Sequence, residues 1–184
     1  MATPKTAAAI CSVSEQGEEA MALLQEDLTS KDYLALLTQK ELFEDAVRFL
    51  AHALPKREAV WWAWVCARRS SSAEPAPKIK AALDATEKWI AQPNDENCRA
   101  AMRAGEAAEF KTAAGCAGLA AFFSGGSLAP PNVSPVPPGE HLTAKAVMSA
   151  VVLAAVTPEP EKAPEKYRAF LQQGVDVATR IKLW

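Results

Sequence analysis

The feature that most constrains the fold is an uninterrupted apolar run. Nine apolar residues, Ala59–Ala67, follow the segment Pro55-Lys56-Arg57-Glu58 and contain three of the five tryptophans in the chain. Pro55 suits the start of a helix because proline lacks an N–H that would need a partner there. A helix that is apolar on all sides is a buried helix, and nine residues are too few for a membrane span, which needs about 20. The run therefore predicts a central core helix.

The tryptophans of this helix also allow a second interpretation. Tryptophan is enriched at binding hot spots, so Trp61, Trp62 and Trp64 could form an exposed anchor for a partner. A helix cannot bury both faces and still offer both to another protein. We favour the core interpretation, and we keep Trp62 as a candidate partner-binding residue.

Composition predicts an all-α protein and excludes some functions. The 184 residues fit a single domain, with 49% hydrophobic residues and a formal net charge of −2. Much of the apolar content is alanine, the best helix former. The near-balanced charge argues against a nucleic-acid partner, which usually selects a basic surface.

The N-terminus and the cysteines predict a cytoplasmic location. The apolar stretch 7–10 is too short for a signal peptide. Cys11, Cys66, Cys98 and Cys116 show no CxxC spacing, which favours buried free thiols in a reducing compartment.

Read in order, the chain predicts a flexible lead-in over residues 1–12 and one all-α domain over residues 13–184. The domain is a bundle of about seven to nine helices around the tryptophan helix, with a Pro-rich strap at about 125–138 near polyproline II geometry. Whether residues 94–124 form one helix or two stays open. A partial echo of residues 45–55 in residues 84–93, at an offset of about 40, leaves HEAT-like helical pairs as a minor alternative.

The sequence assigns no catalytic residue, metal ligand or cofactor. A histidine base would have to be His52 or His141, and neither lies beside a nucleophile in the sequence. A zinc site needs clustered Cys and His. Gly125-Gly126 lacks the Lys-Ser or Lys-Thr of a phosphate-binding P-loop.

Two polar segments remain as candidates for a partner or ligand. Arg57 and Glu58 adjoin the tryptophan helix and could form a partly buried ion pair. The segment Ser124–Ser127 could hold an anion on its backbone N–H groups, although Gly125 also fits a simple helix stop. If these groups converge with His141, they would line a pocket for a small ligand or substrate. The candidate residues are Arg57, Glu58, Trp62, Ser124, Gly125 and His141.

Two long motifs carry a family resemblance. LPKREAVWWA at 54–63 and AAFFSGGSLAPP at 120–131 resemble signatures of a small bacterial family of unknown function. Residues 142–147 and 167–171 look like its continuation, so the resemblance covers about residues 30–184. The resemblance transfers no functional residue. It implies an association with bacterial secretion gene clusters of the type VI kind, and therefore an accessory or adaptor protein.

These observations favour a non-enzymatic protein-binding module. We expect a cytoplasmic adaptor or chaperone whose partner is an effector or a secretion component, with neither a nucleic-acid partner nor a membrane span. The first alternative is a small-ligand-binding protein or enzyme that uses the pocket described above. The second is a structural subunit of a homo-oligomer.

Overall fold

The computed structural model describes residues 6–184. They form ten α-helices and one short 3-10 helix, and no strand occurs among them. The elements are α1 Ala7–Ser14, α2 Glu18–Ala22, α3 Ser30–Gln39, α4 Phe43–Ala53, α5 Lys56–Ser70, α6 Pro77–Ala91, α7 Asp95–Ala107, α8 Ala113–Phe123, α9 Leu142–Val156, the 3-10 helix Pro160–Lys162, and α10 Ala163–Arg180.

The predicted all-α fold is confirmed, with one helix more than the range expected. The additional helix is α1, which occupies part of the segment predicted as a flexible lead-in. Thr6 caps it by accepting a hydrogen bond from the Ala9 N–H at 3.2 Å. Ala7, Ile10 and Cys11 form a buried stripe facing α4. The lead-in prediction is therefore wrong for residues 7–12, because a short apolar stripe suffices when a neighbouring helix covers it. Residues 1–5 lie outside the described part of the chain.

The tryptophan helix α5 lies in the core, in contact with α6, α8, α9 and α10. Trp62 is fully buried, and its indole Nε1 donates a hydrogen bond to the Phe170 carbonyl of α10 at 2.7 Å. Trp61 and Trp64 are half-buried. The core interpretation thus holds completely for one tryptophan and partly for the other two. Helix α9, rich in alanine and valine, shares the centre and packs on α4, α5, α8 and α10.

Residues 94–124 form two helices rather than one. Helix α7 is capped by Asn94, whose side chain accepts from the Asn97 N–H. Glu109 then adopts a left-handed conformation with φ of 66°, which stops a helix. Thr112 starts α8 by accepting from the Gly115 N–H at 3.0 Å. The chain therefore reverses between the two helices, which pack closely against each other.

Within residues 6–184 we find no single helix with both the length and the hydropathy to cross a membrane. Helix α9 and the segment Pro160–Arg180 pass that test only as a pair, and the pair is bent by 110°.

Candidate functional site

The Pro-rich strap is an ordered loop closed at its base. The Leu128 N–H donates to the Val136 carbonyl at 2.8 Å. The Ser127 hydroxyl oxygen accepts from the N–H groups of Ala129 at 3.1 Å and of Val136 at 3.0 Å. Arg99 of α7 donates from a guanidinium nitrogen to the Ala129 carbonyl at 2.7 Å. The base of the strap is thus attached to the helical body by a half-buried arginine.

The strap presents two apolar side chains to solvent, one of them at its base. Val133 is 55% exposed and Val136 is 52% exposed, the two highest values among the large hydrophobic residues described. Pro135 and Pro137 flank Val136, and proline restricts both its own φ and the preceding residue to extended geometry. The strap therefore displays valines on a backbone that has little freedom to fold them inward.

The two candidate residues at the start of the strap have structural partners. A Cβ placed on Gly125 would collide with the Cys98 sulfur, so glycine allows the chain to pass close to α7. The Ser124 hydroxyl lies 2.8 Å from the Ala120 carbonyl and 3.2 Å from the Thr143 hydroxyl. Gly125 and Ser124 thereby connect the end of α8 to α7 and α9.

A separate cleft of about 400 Å³ lies between α1, the α4–α5 junction and the start of α9. His52 from the last turn of α4 faces His141 at the start of α9, with ring centroids 5.4 Å apart and the rings tilted by 42°. Both imidazoles are half-buried. Lys56 and Glu140 supply charges of opposite sign to the lining, and Thr143 supplies a hydroxyl. The cleft therefore joins the only two histidines of the chain.

The remaining sequence candidates do not line this cleft. Arg57 is exposed, and its Nε donates to the Ile90 carbonyl at 2.8 Å, so it satisfies a carbonyl in the last turn of α6. Glu58 is half-buried in the first turn of α5, where a carboxylate complements the helix dipole. Trp62 is in the core. Among the six candidates, His141 alone lines the cleft.

Three of the residues that matter for these surfaces were not among the six candidates, although His52 was considered as a possible base. His52 and Lys56 line the cleft, and Arg99 holds the strap. The sequence offered one indication of the cleft: the chain has only two histidines, and these could lie close together in the fold. Their separation of 89 positions (141 minus 52) leaves that proximity to tertiary packing.

The cysteines are buried free thiols. Burial raises the pKa of all four: Cys11, Cys66, Cys98 and, to about 11, Cys116. A raised thiol pKa means less thiolate, which is the reactive form. No group of three or more His, Cys, Asp or Glu residues within 6–184 is arranged to hold a metal ion.

The fold and these surfaces define an all-α protein with a proline-rich surface strap and a separate histidine-lined cleft. The chain belongs to the family of unknown function DUF6931, whose model matches residues 33–178, well over half of the chain. Searches of the curated proteins and of the solved structures found no match to this chain.

Proposed function

We propose that this protein is a non-enzymatic protein-binding module that engages its partner through the Pro-rich strap. One observation carries the proposal: Val133 and Val136 are each more than half exposed on a loop whose base is closed by hydrogen bonds. Proline-rich extended segments are a recurring ligand type for aromatic-lined grooves, because their backbone loses little entropy on binding. Here the helical body restrains the segment further, which lowers that cost again.

The strap favours a groove that binds apolar side chains and proline rings. The PxxP spacing at 135–138 lacks the flanking arginine usual in SH3 ligands, and Arg99 is engaged in holding the strap. The whole strap carries no charged side chain, because residues 124–139 contain no Asp, Glu, Lys or Arg. We therefore expect affinity to come from burial of valine and proline, with little dependence on salt.

The cellular role that we propose is a cytoplasmic adaptor or chaperone in a bacterial secretion system of the type VI kind. The support for the system and for a bacterial origin is the resemblance of the two long sequence motifs. The support for the cytoplasm is four cysteines that are all free thiols, as expected in a reducing compartment. The partner would be a secreted effector or a component of the apparatus.

The test compares two charge-introducing changes on exposed hydrophobic residues. The double variant Val133→Asp/Val136→Asp places two carboxylates on the strap. Met21→Asp on α2 is the matched control, since Met21 is 43% exposed and lies on a different element. Partners captured by the wild type are identified, produced separately and titrated against all three purified proteins. We expect the strap variant to lose at least about tenfold in affinity, equal to about 1.4 kcal/mol, and Met21→Asp to bind as the wild type does.

Two results would contradict the strap as the binding surface. One is a purified partner that binds the strap variant as tightly as the wild type. The other is equal weakening by Met21→Asp, which would indicate a general effect of surface charge. Sedimentation of the free protein tests the homo-oligomer alternative. If the wild type is a dimer and the strap variant is a monomer, the partner of the strap is a second copy of this chain.

A further inference from the structure

We propose that Val136 is the rigid anchor of the strap and that Arg99 is the positioning residue that fixes it, whereas Val133 adapts to the partner. This inference rests on the proposed binding through the strap, and it gives unequal roles to two valines of nearly equal exposure, 55% for Val133 and 52% for Val136. Burial of apolar area alone would give them equal shares of the affinity. The two valines differ in how the backbone of each is held.

The backbone of Val136 is held at both of its polar groups. Its N–H donates to the Ser127 hydroxyl oxygen at 3.0 Å, and its carbonyl accepts from the Leu128 N–H at 2.8 Å. Pro135 and Pro137 remove further freedom, because proline fixes its own φ and restricts the residue before it to extended geometry. A valine side chain is stiff at χ1, so a fixed backbone also gives its methyl groups a fixed direction. Val136 is therefore a preformed apolar contact.

The attachment of Val133 is local to the strap. Its N–H donates to the Pro130 carbonyl at 3.3 Å, within a turn of the strap itself. Within residues 6–184, no backbone hydrogen bond joins Val133 to a helix. An exposed turn that is held only by its own hydrogen bond opens at small cost in free energy. Val133 can therefore change its position to suit a partner.

Arg99 connects the Val136 backbone to α7. Its Nη2 donates at 2.7 Å to the carbonyl of Ala129, the residue after Leu128, and the Leu128 N–H binds Val136. Its Nε donates to the Asp95 carboxylate at 2.7 Å, which orients the guanidinium from the other side. Hydrogen bonds that involve a charged group are the stronger class, and the arginine side chain is only 18% exposed. The guanidinium thus links the first turn of α7 to the limb of the strap that holds Val136.

Restraint of a binding segment before it meets its partner raises affinity, because less freedom is lost on binding. Arg99 restrains the limb that holds Val136, and its hydrogen bonds do not reach Val133. We therefore expect the affinity contributed by Val136 to depend on Arg99, and the affinity contributed by Val133 to be independent of it.

Hydrogen exchange in the free protein, followed by NMR, tests the positioning step without a partner. In Arg99→Gln we expect the amides of Leu128 and Val136 to exchange at least about tenfold faster than in the wild type, because their hydrogen bonds open more often. The Val133 amide should keep its wild-type rate, and amides of the core helices should keep theirs.

Two further variants make this measurement specific. Arg103→Gln changes an exposed arginine of the same helix and should leave the exchange rates of the strap unchanged. Ser127→Ala removes the acceptor of the Val136 N–H, so it should release the Val136 amide even though Arg99 is intact. Circular dichroism verifies that each variant is folded.

Binding is measured as a double-mutant cycle with the purified protein that the wild type captures. Val136→Ala removes two carbons from the anchor and should weaken binding about tenfold, whereas Val133→Ala should weaken it about threefold or less. In the Arg99→Gln background, Val136→Ala should cost only about threefold, because without the valine contact little is gained by ordering residue 136. The cost of Val133→Ala should be the same in both backgrounds.

Three results would overturn this assignment. They are equal losses of affinity in Val133→Ala and Val136→Ala, additive effects of Arg99→Gln and Val136→Ala, and wild-type exchange of the Val136 amide in Arg99→Gln. Failure of the proposed function gives a different result, since Val133→Asp/Val136→Asp would then bind as the wild type does. In that case the anchor assignment falls with the proposed function, whatever the exchange rates are.

Discussion

At the residue scale, Gly174 shows how closely α10 approaches the central helix. A Cβ at this position would lie 2.9 Å from the Trp62 ring carbon Cε2 and would also collide with the Leu50 side chain. Both neighbours are fully buried, so neither has room to withdraw. The absence of a side chain at Gly174 is therefore a packing requirement of the fully buried tryptophan.

We predict that Gly174→Ala destabilises the protein by about 1–3 kcal/mol, the usual cost of overpacking a core. Intrinsic helix propensity alone would predict the opposite sign, a gain of up to about 1 kcal/mol. Urea unfolding at neutral pH measures the difference. Gly126→Ala is the control, because a Cβ there meets no atom within 4 Å, and it should leave the midpoint nearly unchanged. A stabilised Gly174→Ala variant would contradict this packing.

Also at the residue scale, Cys66 makes stability depend on alkaline pH. Desolvation raises the pKa of its thiol well above the ordinary value of 9.0, so the folded protein keeps this proton where the unfolded chain loses it. The unfolded state then binds fewer protons, and the free energy of unfolding falls as pH rises above about 9, by up to about 1.4 kcal/mol per pH unit for this thiol.

We predict that Cys66→Ala makes this alkaline decline shallower, even though the variant is less stable at neutral pH because a buried atom is lost. Urea unfolding of both proteins under reducing conditions at several pH values between about 8 and 10 gives the two slopes. Exposed Ser149→Ala serves as the control and should follow the wild-type slope. Equal slopes for the wild type and Cys66→Ala would refute the assignment.

At the element scale, the contact between α7 and α8 depends on small residues that let two backbones meet. A Cβ on Gly118 would lie 2.6 Å from the Ala101 carbonyl oxygen and 3.2 Å from the Gly105 Cα. Both neighbours are backbone atoms, which cannot rotate away as a side chain can. The whole of α7 or α8 would have to shift to accept a methyl group.

We predict that Gly118→Ala costs more than about 1 kcal/mol in unfolding free energy, against the gain that alanine normally brings inside a helix. The same change at exposed Gly139, where a Cβ meets only the Leu142 side chain at 3.5 Å, should have little effect. Thermal and urea unfolding distinguish the two. A Gly118→Ala protein as stable as the wild type would mean that the helices pack less closely than described.

At the scale of the whole molecule, the buried apolar residues of α1 to α10 belong to one core cluster. Such a shared core predicts that the chain unfolds in one cooperative step. Tryptophan fluorescence reports on α5, α6 and the C-terminus, because Trp61, Trp62, Trp64, Trp89 and Trp184 lie there. Far-UV circular dichroism reports on all helices.

We therefore expect the two unfolding curves to coincide in urea. An earlier circular dichroism transition would show that the first helices, which hold no tryptophan, unfold separately, and the prediction of a single domain would be wrong. Trp62→Phe provides a comparison, since it removes the buried hydrogen bond to Phe170. It should shift both curves together, by about 1–3 kcal/mol.

Features of this fold that depend on residues close together in the sequence were predictable, and features that depend on residues far apart in the sequence were not. The helix that begins after Pro55 and the burial of Trp62 depend on neighbours within a few positions, and both were predicted. The division of residues 94–124 depends on Glu109, a residue without a strong turn preference, and local signals left it open. The lead-in was wrong at residues 7–12 because the stability of α1 comes from α4, more than 30 positions away.

Local signals in the sequence were enough for the helical class, the central tryptophan helix and a Pro-rich segment outside the helices, because propensity, periodicity and proline geometry act over a few positions. Tertiary structure decided which side chains share a surface. It separated Arg57 from His141, placed His52 and Lys56 beside that histidine, and attached the strap through Arg99. Those placements depend on how the helices cross, and crossing is set by close contacts such as those at Gly118 and Gly174, which a linear pattern does not encode.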